Sequence, residues 1–281
     1  MLFRDSVRFS LTSVVASRMR TALTALGIGV GVFVVILLTA IGEGLQSYVL
    51  GQFTQFGTNI VAINPGKSVT FGTPAGSLGT TKPLTIDDAE ALRRLPGIKA
   101  VVPVVQGNAS VKANGRERRT MIFGAGSEFA DAFAYELSAG EFLPPDDPRA
   151  PRAFAVLGST MRTELFGDQN PLGELVRIGG DRYRVVGVMQ SKGNMLGFDL
   201  DDTVYIPAAR GLDLFNRDSL FEIDILYEEG IAAEEIAASI QRMMIQRHGG
   251  DDVTITTQQQ MLEVLGSILD VLTFAVAALG G

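Results

Sequence analysis

Between Arg20 and Glu43 the chain runs for 22 residues without a charge, TALTALGIGVGVFVVILLTAIG at residues 21–42. About 20 apolar residues in helical conformation cross the hydrocarbon core of a bilayer, so the segment is long enough to span one. It constrains the chain more than any other stretch, because what precedes and follows it must fold on opposite sides of a membrane. It also accounts for the composition. Of the 281 residues 46% are hydrophobic and the mean hydropathy is positive, high for an ordinary soluble protein. The competing reading is a cleavable signal peptide, with LTA at residues 38–40 as its cleavage site. A signal's apolar region is about 7–15 residues long, however, and this one is longer and lies behind a 20-residue leader. A retained anchor is the expectation.

Charge orients the anchor. Residues 1–20 carry Arg4, Arg8, Arg18 and Arg20 against Asp5, a formal +3, which leaves −10 on the rest of a chain whose total is −7. The excess of arginine on the short side places the N-terminus in the cytoplasm and the acidic bulk outside the inner (plasma) membrane. An acidic bulk offers no basic face to neutralise phosphates, so nucleic acid is not expected as a partner. The absence of cysteine excludes disulfides and thiolate-bound metals.

Periodicity organises the remainder. Phe3, Val7, Leu11, Val14 and Val15 recur at helical spacing among arginines, which predicts an interfacial helix over residues 1–20. Past the span, Leu45, Val49, Phe53 and Phe56 keep that spacing, and Gly57 is the expected stop of a stalk helix over residues 43–56. NIVAI at residues 59–63 reads as a strand, and residues 66–83 as a Gly/Ser/Thr-rich loop. Thr85 caps a helix with Asp87 and Asp88 in its first turn, Arg93 and Arg94 in its last, and Pro96-Gly97 as its stop.

Further on, a strand at residues 99–105 precedes a hairpin whose Asn114-Gly115 is a type I′ turn signal. Pro144, Pro145, Pro148 and Pro151 exclude regular structure past Phe142. Residues 153–158 form a strand, Ser159 caps a short helix, a second hairpin turns at residues 179–181, and TVYIP is a strand. FEIDILY at residues 221–227 alternates. Ile231, Ile236, Ile240 and Met244 mark one face of a helix that ends at glycine, DVTIT is a last strand, and Thr257 with Gln260 forms a capping box. That final helix runs over residues 258–281 into the apolar stretch 271–281.

Candidate chemistry is sparse. PGKS at residues 65–68 resembles the end of a phosphate-binding loop, but Val61 stands where that motif needs glycine, so it reads as a turn. With one histidine and no G-x-S-x-G, nucleophilic triads and histidine-rich metal sites have no constituents. His248 is expected at a helix C-terminus, as a favourable partner of the dipole. Asp199, Asp201 and Asp202 lack the calcium-loop pattern and read as a solvated loop, and Asp146-Asp147 and Asp251-Asp252 as turns. Lys112, Arg116, Arg118 and Arg119 read as a solvated hairpin end. No catalytic, metal-ligating or cofactor-binding residue is therefore expected, and no enzymatic activity of the chain itself.

Several segments together resemble the MacB-like (FtsX-type) ABC transporter permease family. They are an arginine-bearing start, a span followed at once by GEG (residues 42–44), FGTNIVAINPG (56–66), PLTIDDAEALRRLPGIKAVVP (83–103), AGEFL (139–143), AVLG, LFGDQNPLGELVRIGGDRYRVVGV (165–188) and Ile206-Pro207. Their order and spacing carry the resemblance. It implies an α+β membrane protein with an N-terminal transmembrane helix, and a periplasmic core domain over residues 57–257. That core would be a porter-like α/β unit (57–120 and 220–257) with an inserted β-rich subdomain (121–219). A C-terminal stalk helix would enter a truncated second span. The resemblance implies no cofactor. It implies a permease that couples ATP hydrolysis on a separate or fused ATPase to export or lipoprotein release by mechanotransmission. The expected partners are an ABC-type ATPase subunit, a second copy or a paralogous permease, a periplasmic adaptor and membrane lipid. The chain then reads as the N-terminal part of a longer permease, or as a natural truncated product. The alternative from another class is a single-span, membrane-anchored domain that binds or senses a ligand.

Overall fold

The computed structural model describes residues 18–54, 59–66, 82–195, 198–264, 266–268 and 271. The interfacial helix expected before residue 18, the stop at Gly57, most of the loop at 66–83 and nearly all of the terminal apolar run lie outside them. Contacts divide the chain into two units, Met1–Leu50 with Glu263–Gly281, and Gly51–Leu262.

The apolar segment is helical, within α1 (Arg18–Thr54), whose 37 residues measure about 55 Å at helical rise. Residues Met19–Gly42 are long and apolar enough to cross a membrane. Their side chains face outward, with Leu26 66% and Phe33 63% exposed, as for a helix whose solvent is lipid rather than protein. The hydroxyls of Thr24 and Thr39 donate to the carbonyls of Arg20 and Val35, each at 2.9 Å, so they need no water.

In the second unit, β1 (Ile60–Pro65), α2 (Ile86–Leu92) and β2 (Ile98–Ala113) form one β-α-β run. Next come β3 (Arg116–Ala125), α3 (Phe129–Ala132), β4 (Leu137–Gly140), β5 (Phe154–Leu157), α4 (Ser159–Phe166), β6 (Leu175–Ile178) and β7 (Asp181–Met189). The ribbon β8 (Asn194–Met195) and β9 (Phe198–Asp199) precedes β10 (Thr203–Pro207) and α5 (Ala208–Phe215). The chain closes with a second β-α-β run, β11 (Glu222–Tyr227), α6 (Ala233–His248) and β12 (Val253–Thr257). The main sheet has the order β12-β1-β11-β2-β3-β10-β5-β7-β4, with β6 pairing β2 and β7.

The two β-α-β runs interleave. β1 and β2 both lie antiparallel to β11, and β11 and β12 both lie antiparallel to β1, so each run joins two parallel strands across one strand of the other. Both crossover helices pack on the same face. There Val61, Ile63, Val101, Ile223, Ile225 and Val253 meet Ala89 and Leu92 of α2 and Ile236, Ile240 and Met244 of α6. Among the described residues, the opposite face of the same four strands carries no crossover helix.

β2 is one 16-residue strand rather than the shorter strand expected at 99–105. It pairs with β11 up to Val104 and with β3 from Val105 onward, and so carries the sheet from one half to the other. Where β11 pairing leaves the far edge of β2 open, a side-chain pair closes it. Val101 N donates to Glu128 Oε2 and Val101 O accepts from Arg93 Nη2, each at 2.9 Å, and Arg93 and Glu128 bond each other. An edge blunted in this way offers no template to a further strand.

The other half-sheet buries Val111, Ile122, Leu157, Tyr183, Val185 and Val204 under Met161, Leu165 and Phe166 of α4. The two hairpins turn as the sequence predicts. Asn114 (φ 51°) and Gly115 (φ 73°) take the left-handed conformations of a type I′ turn, and Ile178 faces Asp181 across residues 179–180. Ser159 is not a cap. Gly158 is the N-cap in extended conformation, held by Gly158 N to Thr203 O and Thr160 N to Asp201 O, and Ser159 is already helical. Segment 141–153 is irregular, as its prolines require. The capping box at Thr257 forms, with Thr257 N donating to Gln260 Oε1 and Gln260 N to Thr257 Oγ1.

Candidate functional site

Strand alternation sends Ile223, Ile225 and Tyr227 into the core beneath α2 and α6, so Glu222 and Asp224 must point to the face those helices leave open. They line a cleft of about 330 Å³. Its floor is Ile60 and Ala62 of β1, Val104 of β2 and Thr256 of β12. Its wall is aromatic. Phe129 lies 4.8 Å from Phe133, 5.5 Å from Tyr135 and 5.1 Å from Tyr205 between ring centroids, and Phe123 stacks on Tyr205 at 5.8 Å. Such rings contribute large apolar area with little conformational freedom to lose.

The two carboxylates differ in their support. Asn64 is the residue after Ile63, which pairs with Ile223 in the β1–β11 ladder, and its side-chain amide donates to Glu222 Oε2 at 3.2 Å. Asp224 sits between Ala62 and Val102 in the ladder, neighbours without a polar side chain. It is 8% exposed, and among the described residues neither a hydrogen bond nor a cation reaches its side chain. Burial drives its pKa well above the ordinary carboxylate value, and the neighbouring Glu222 charge adds to this. Glu222 is also raised by burial, against the Asn64 hydrogen bond that favours its charged form. The pair therefore retains protons at a pH where isolated carboxylates have lost them.

A second buried cluster lies on the helix-covered face. Thr85 N donates to Asp88 Oδ2 at 2.9 Å and Asp88 N to Thr85 Oγ1 at 3.2 Å, a full capping box. Asp88 also accepts from Arg247 Nε at 2.6 Å. His248, expected to act only on its helix dipole, is instead buried between two carboxylates, with Nδ1 2.8 Å from Asp252 Oδ1 and Nε2 3.3 Å from Asp88 Oδ2. Burial alone would raise the Asp88 pKa, but bonds from Thr85, Arg247 and His248 outweigh it and hold it below the ordinary value. The arrangement joins α2 to the end of α6.

The remaining polar groups singled out in the sequence are structural. Of Asp199, Asp201 and Asp202, expected as a solvated loop, Asp199 is exposed and Asp202 half-buried, but Asp201 is buried. Asp201 accepts from Lys192 N at 2.8 Å, Gly193 N at 3.1 Å and the Ser191 hydroxyl, Asp199 accepts from Asp201 N at 2.9 Å, and Asp202 forms a two-point bond with Arg118. A turn left with unpaired amides was closed by its own side chains. Arg118 is thus tied to the next strand, Arg116 donates to Glu164 O, and Lys112 pairs with Glu117. Asp146 pairs with Arg152, and Asp147 accepts from Arg149 N. Pro65 ends β1 and Gly66 turns at φ 89°, while Lys67 and Ser68 lie outside the described residues. No group of three or more potential metal ligands occurs among the described residues.

Glu222 and Asp224 were not singled out by sequence. Their alternation in FEIDILY puts them on one face of a strand, but alternation does not say whether that face meets water, and the neighbours that bury them come from residues 60–64, 102–104 and 123–135.

An apolar helix joined to a mixed α/β unit with split β-α-β runs defines the class: a membrane-anchored core domain. The family model described as the MacB-like periplasmic core domain matches residues 21–243, and the chain belongs to that family. It is 28% identical over 279 residues to the "Macrolide export ATP-binding/permease protein MacB" of Marinobacter nauticus, covering 99% of this chain and 43% of the relative. It is 31% identical over 261 residues to a protein of the same name from Hyphomonas neptunium, covering 92% and 40%. The chain thus spans about two fifths of the length of these relatives. Among solved structures, the periplasmic region of MacB from Actinobacillus actinomycetemcomitans superposes with a TM-score of 0.64 at 21% identity, covering 78% of this chain and 97% of that one. The extracellular domain of the ABC-type transporter YknZ from Gram-positive bacteria superposes at 0.57 and 18% identity, covering 71% and 100%. At these identities the likeness is one of fold.

Proposed function

We propose that the chain supplies the membrane anchor and extracytoplasmic core of a MacB-like ABC transporter, and that it works by mechanical coupling. In this reading ATP binding on a cytoplasmic ATPase, on the same or another polypeptide, moves the spans, and α1 carries the displacement outward. The observation that carries the reading is the continuity of α1, which passes without a break from the apolar segment to Thr54. The relatives' names, ATP-binding/permease, support ATP as the energy source. Residues 57–120 and 220–257 act as one subdomain and 121–219 as an insertion, a division supported by the core that joins Val61–Val105 with Leu220–Val253. The N-terminus is cytoplasmic and the core external. The working assembly contains a second copy or a paralogous permease, and a periplasmic adaptor is a further partner.

Thiol labelling in intact cells tests the topology. The chain has no cysteine, so single cysteines at Ser6 and Ser77 report cleanly to an impermeant reagent. Ser77 is expected to label and Ser6 to label only after lysis. The reverse pattern, or release of the outer region by signal peptidase, would overturn the anchored arrangement.

A further inference from the structure

The open-face cleft holds a carboxylate that nothing in the described protein neutralises. Asp224 is more than nine-tenths buried, lines the cavity, and has neither a hydrogen-bond donor nor a cation at its side chain. Glu222, two residues along the same strand face, has among the described residues only the neutral Asn64 amide. Leaving a largely buried carboxylate, open only to the cleft, without a partner is unfavourable, and native folds do so chiefly where something else completes the pairing. Once such a carboxylate pair gives up its protons, the group that completes it is a cation.

The rest of the lining restricts which cation. A strongly hydrated metal ion would want oxygen ligands around most of its sphere, whereas this cleft offers oxygen on its strand side and the rings of Phe123, Phe129, Phe133 and Tyr135 opposite. Aromatic faces attract an ammonium head and bury an apolar body equally well. The wall already does this once for the protein itself: Lys192 Nζ lies 3.9 Å from the Tyr135 ring centroid and donates to Phe133 O at 3.0 Å. A cavity of about 330 Å³ is at the lower end of the range that holds small organic ligands, ~300–1,000 Å³.

We propose that this cleft is a binding site for a hydrophobic ammonium ion, whose head pairs with Asp224 and Glu222 and whose apolar body lies on the aromatic wall. The assignment goes beyond the transport reading and does not depend on it, since a cleft of this chemistry binds an amine whether or not the domain moves. Asp224, Glu222 and Tyr135 are the titratable groups that line it.

Three probes of matched shape test it: 4-phenylbutylamine, 4-phenylbutan-1-ol and 5-phenylpentanoate. Each is titrated by calorimetry against the full chain in lipid nanodiscs, with empty nanodiscs as the blank. The amine is expected to bind roughly tenfold or more tightly than the alcohol at pH 8, and the carboxylate not at all. Asp224→Asn, isosteric with the parent, is expected to bring the amine to within about threefold of the alcohol while alcohol binding persists, which reports an intact cleft. Glu222→Gln gives the same direction, and Phe133→Ala weakens both probes alike. Equal affinity of the parent for amine and alcohol, or an amine preference that survives Asp224→Asn combined with Glu222→Gln, overturns the assignment. Reversed thiol labelling would remove the membrane topology and leave this site standing.

Discussion

His248 Nε2 lies 3.3 Å from Asp88 Oδ2, a contact between residues 160 positions apart that ties the last turn of α6 to the first turn of α2. His248 Nδ1 meets Asp252 as well, so both ring nitrogens face carboxylate oxygens, and a neutral ring has a proton for only one of them. Asp88 gathers the capping bonds of Thr85 and the guanidinium of Arg247 at the same carboxylate. The cluster spans both crossover helices and so locks together the two interleaved β-α-β runs.

Removing that carboxylate should therefore be expensive. Asp88→Asn is expected to lower stability by about 3 kcal/mol at pH 7, because it leaves Arg247 and His248 facing a neutral group. The Asp88 pKa is depressed in the fold, so its contribution is complete above the unfolded value near 3.8 and is lost as pH falls through the lower folded value. Urea melts of parent and variant should differ at pH 7 and begin to converge only below pH 3.8, as the pH falls through the lowered folded value. A gap unchanged at low pH would show that the carboxylate charge is not its source.

Asp224 predicts the opposite sign. Its folded pKa is raised, so it carries no penalty while protonated and destabilises the fold progressively as pH rises from the ordinary carboxylate value through the raised one. Asp224→Asn should raise stability by about 1–2 kcal/mol at pH 8 and by little at pH 4. Thermal melts at the two pH values decide it, and a variant less stable than the parent at pH 8 would contradict the unpaired carboxylate.

Gly158 is set by contact rather than by its dihedral angles. A Cβ there would lie 2.2 Å from Asp201 O, a backbone atom fixed by its bond from Thr160 N. Gly158→Ala should cost about 3 kcal/mol in a denaturant melt, at the upper end for overpacking, whereas Gly180→Ala, with open space around it, should cost less than about 1 kcal/mol. Similar losses at both positions would refute the contact as the cause.

The coupling reading makes α1 a rod. Inserting Gly-Ser-Gly after Gly44 interrupts it beyond the apolar segment. In a reconstituted transporter ATP hydrolysis is expected to continue while ATP-dependent export stops. Export at the parent rate would show that displacement does not travel through this helix.

Residues 51–262 form a contact unit of their own and contain all three hydrophobic clusters. Expressed alone they should give a soluble α/β domain with a cooperative melt. A disordered product would show that the helix of residues 18–50 is needed for folding.

What the sequence determined by itself is local. The uncharged run at residues 21–42, the box at Thr257 and Gln260, the Asn114-Gly115 turn, and the glycine that ends α6 (Gly249, φ 78°) each follow from interactions within a few residues. Backbone sterics and i-to-i+3 bonds act there regardless of what the rest of the chain does. The tertiary structure decided which polar groups are buried, and with whom. His248 and Asp88, Arg118 and Asp202, and Arg93 with Glu128 and the edge of β2 meet only because the strand order brings distant segments together. Glu222 and Asp224 are the sharpest case. Alternation fixed the face they point to, but only the packing of both crossover helices on the other side left that face free to become a cleft, because desolvation is a property of neighbours and not of the strand that carries the charge.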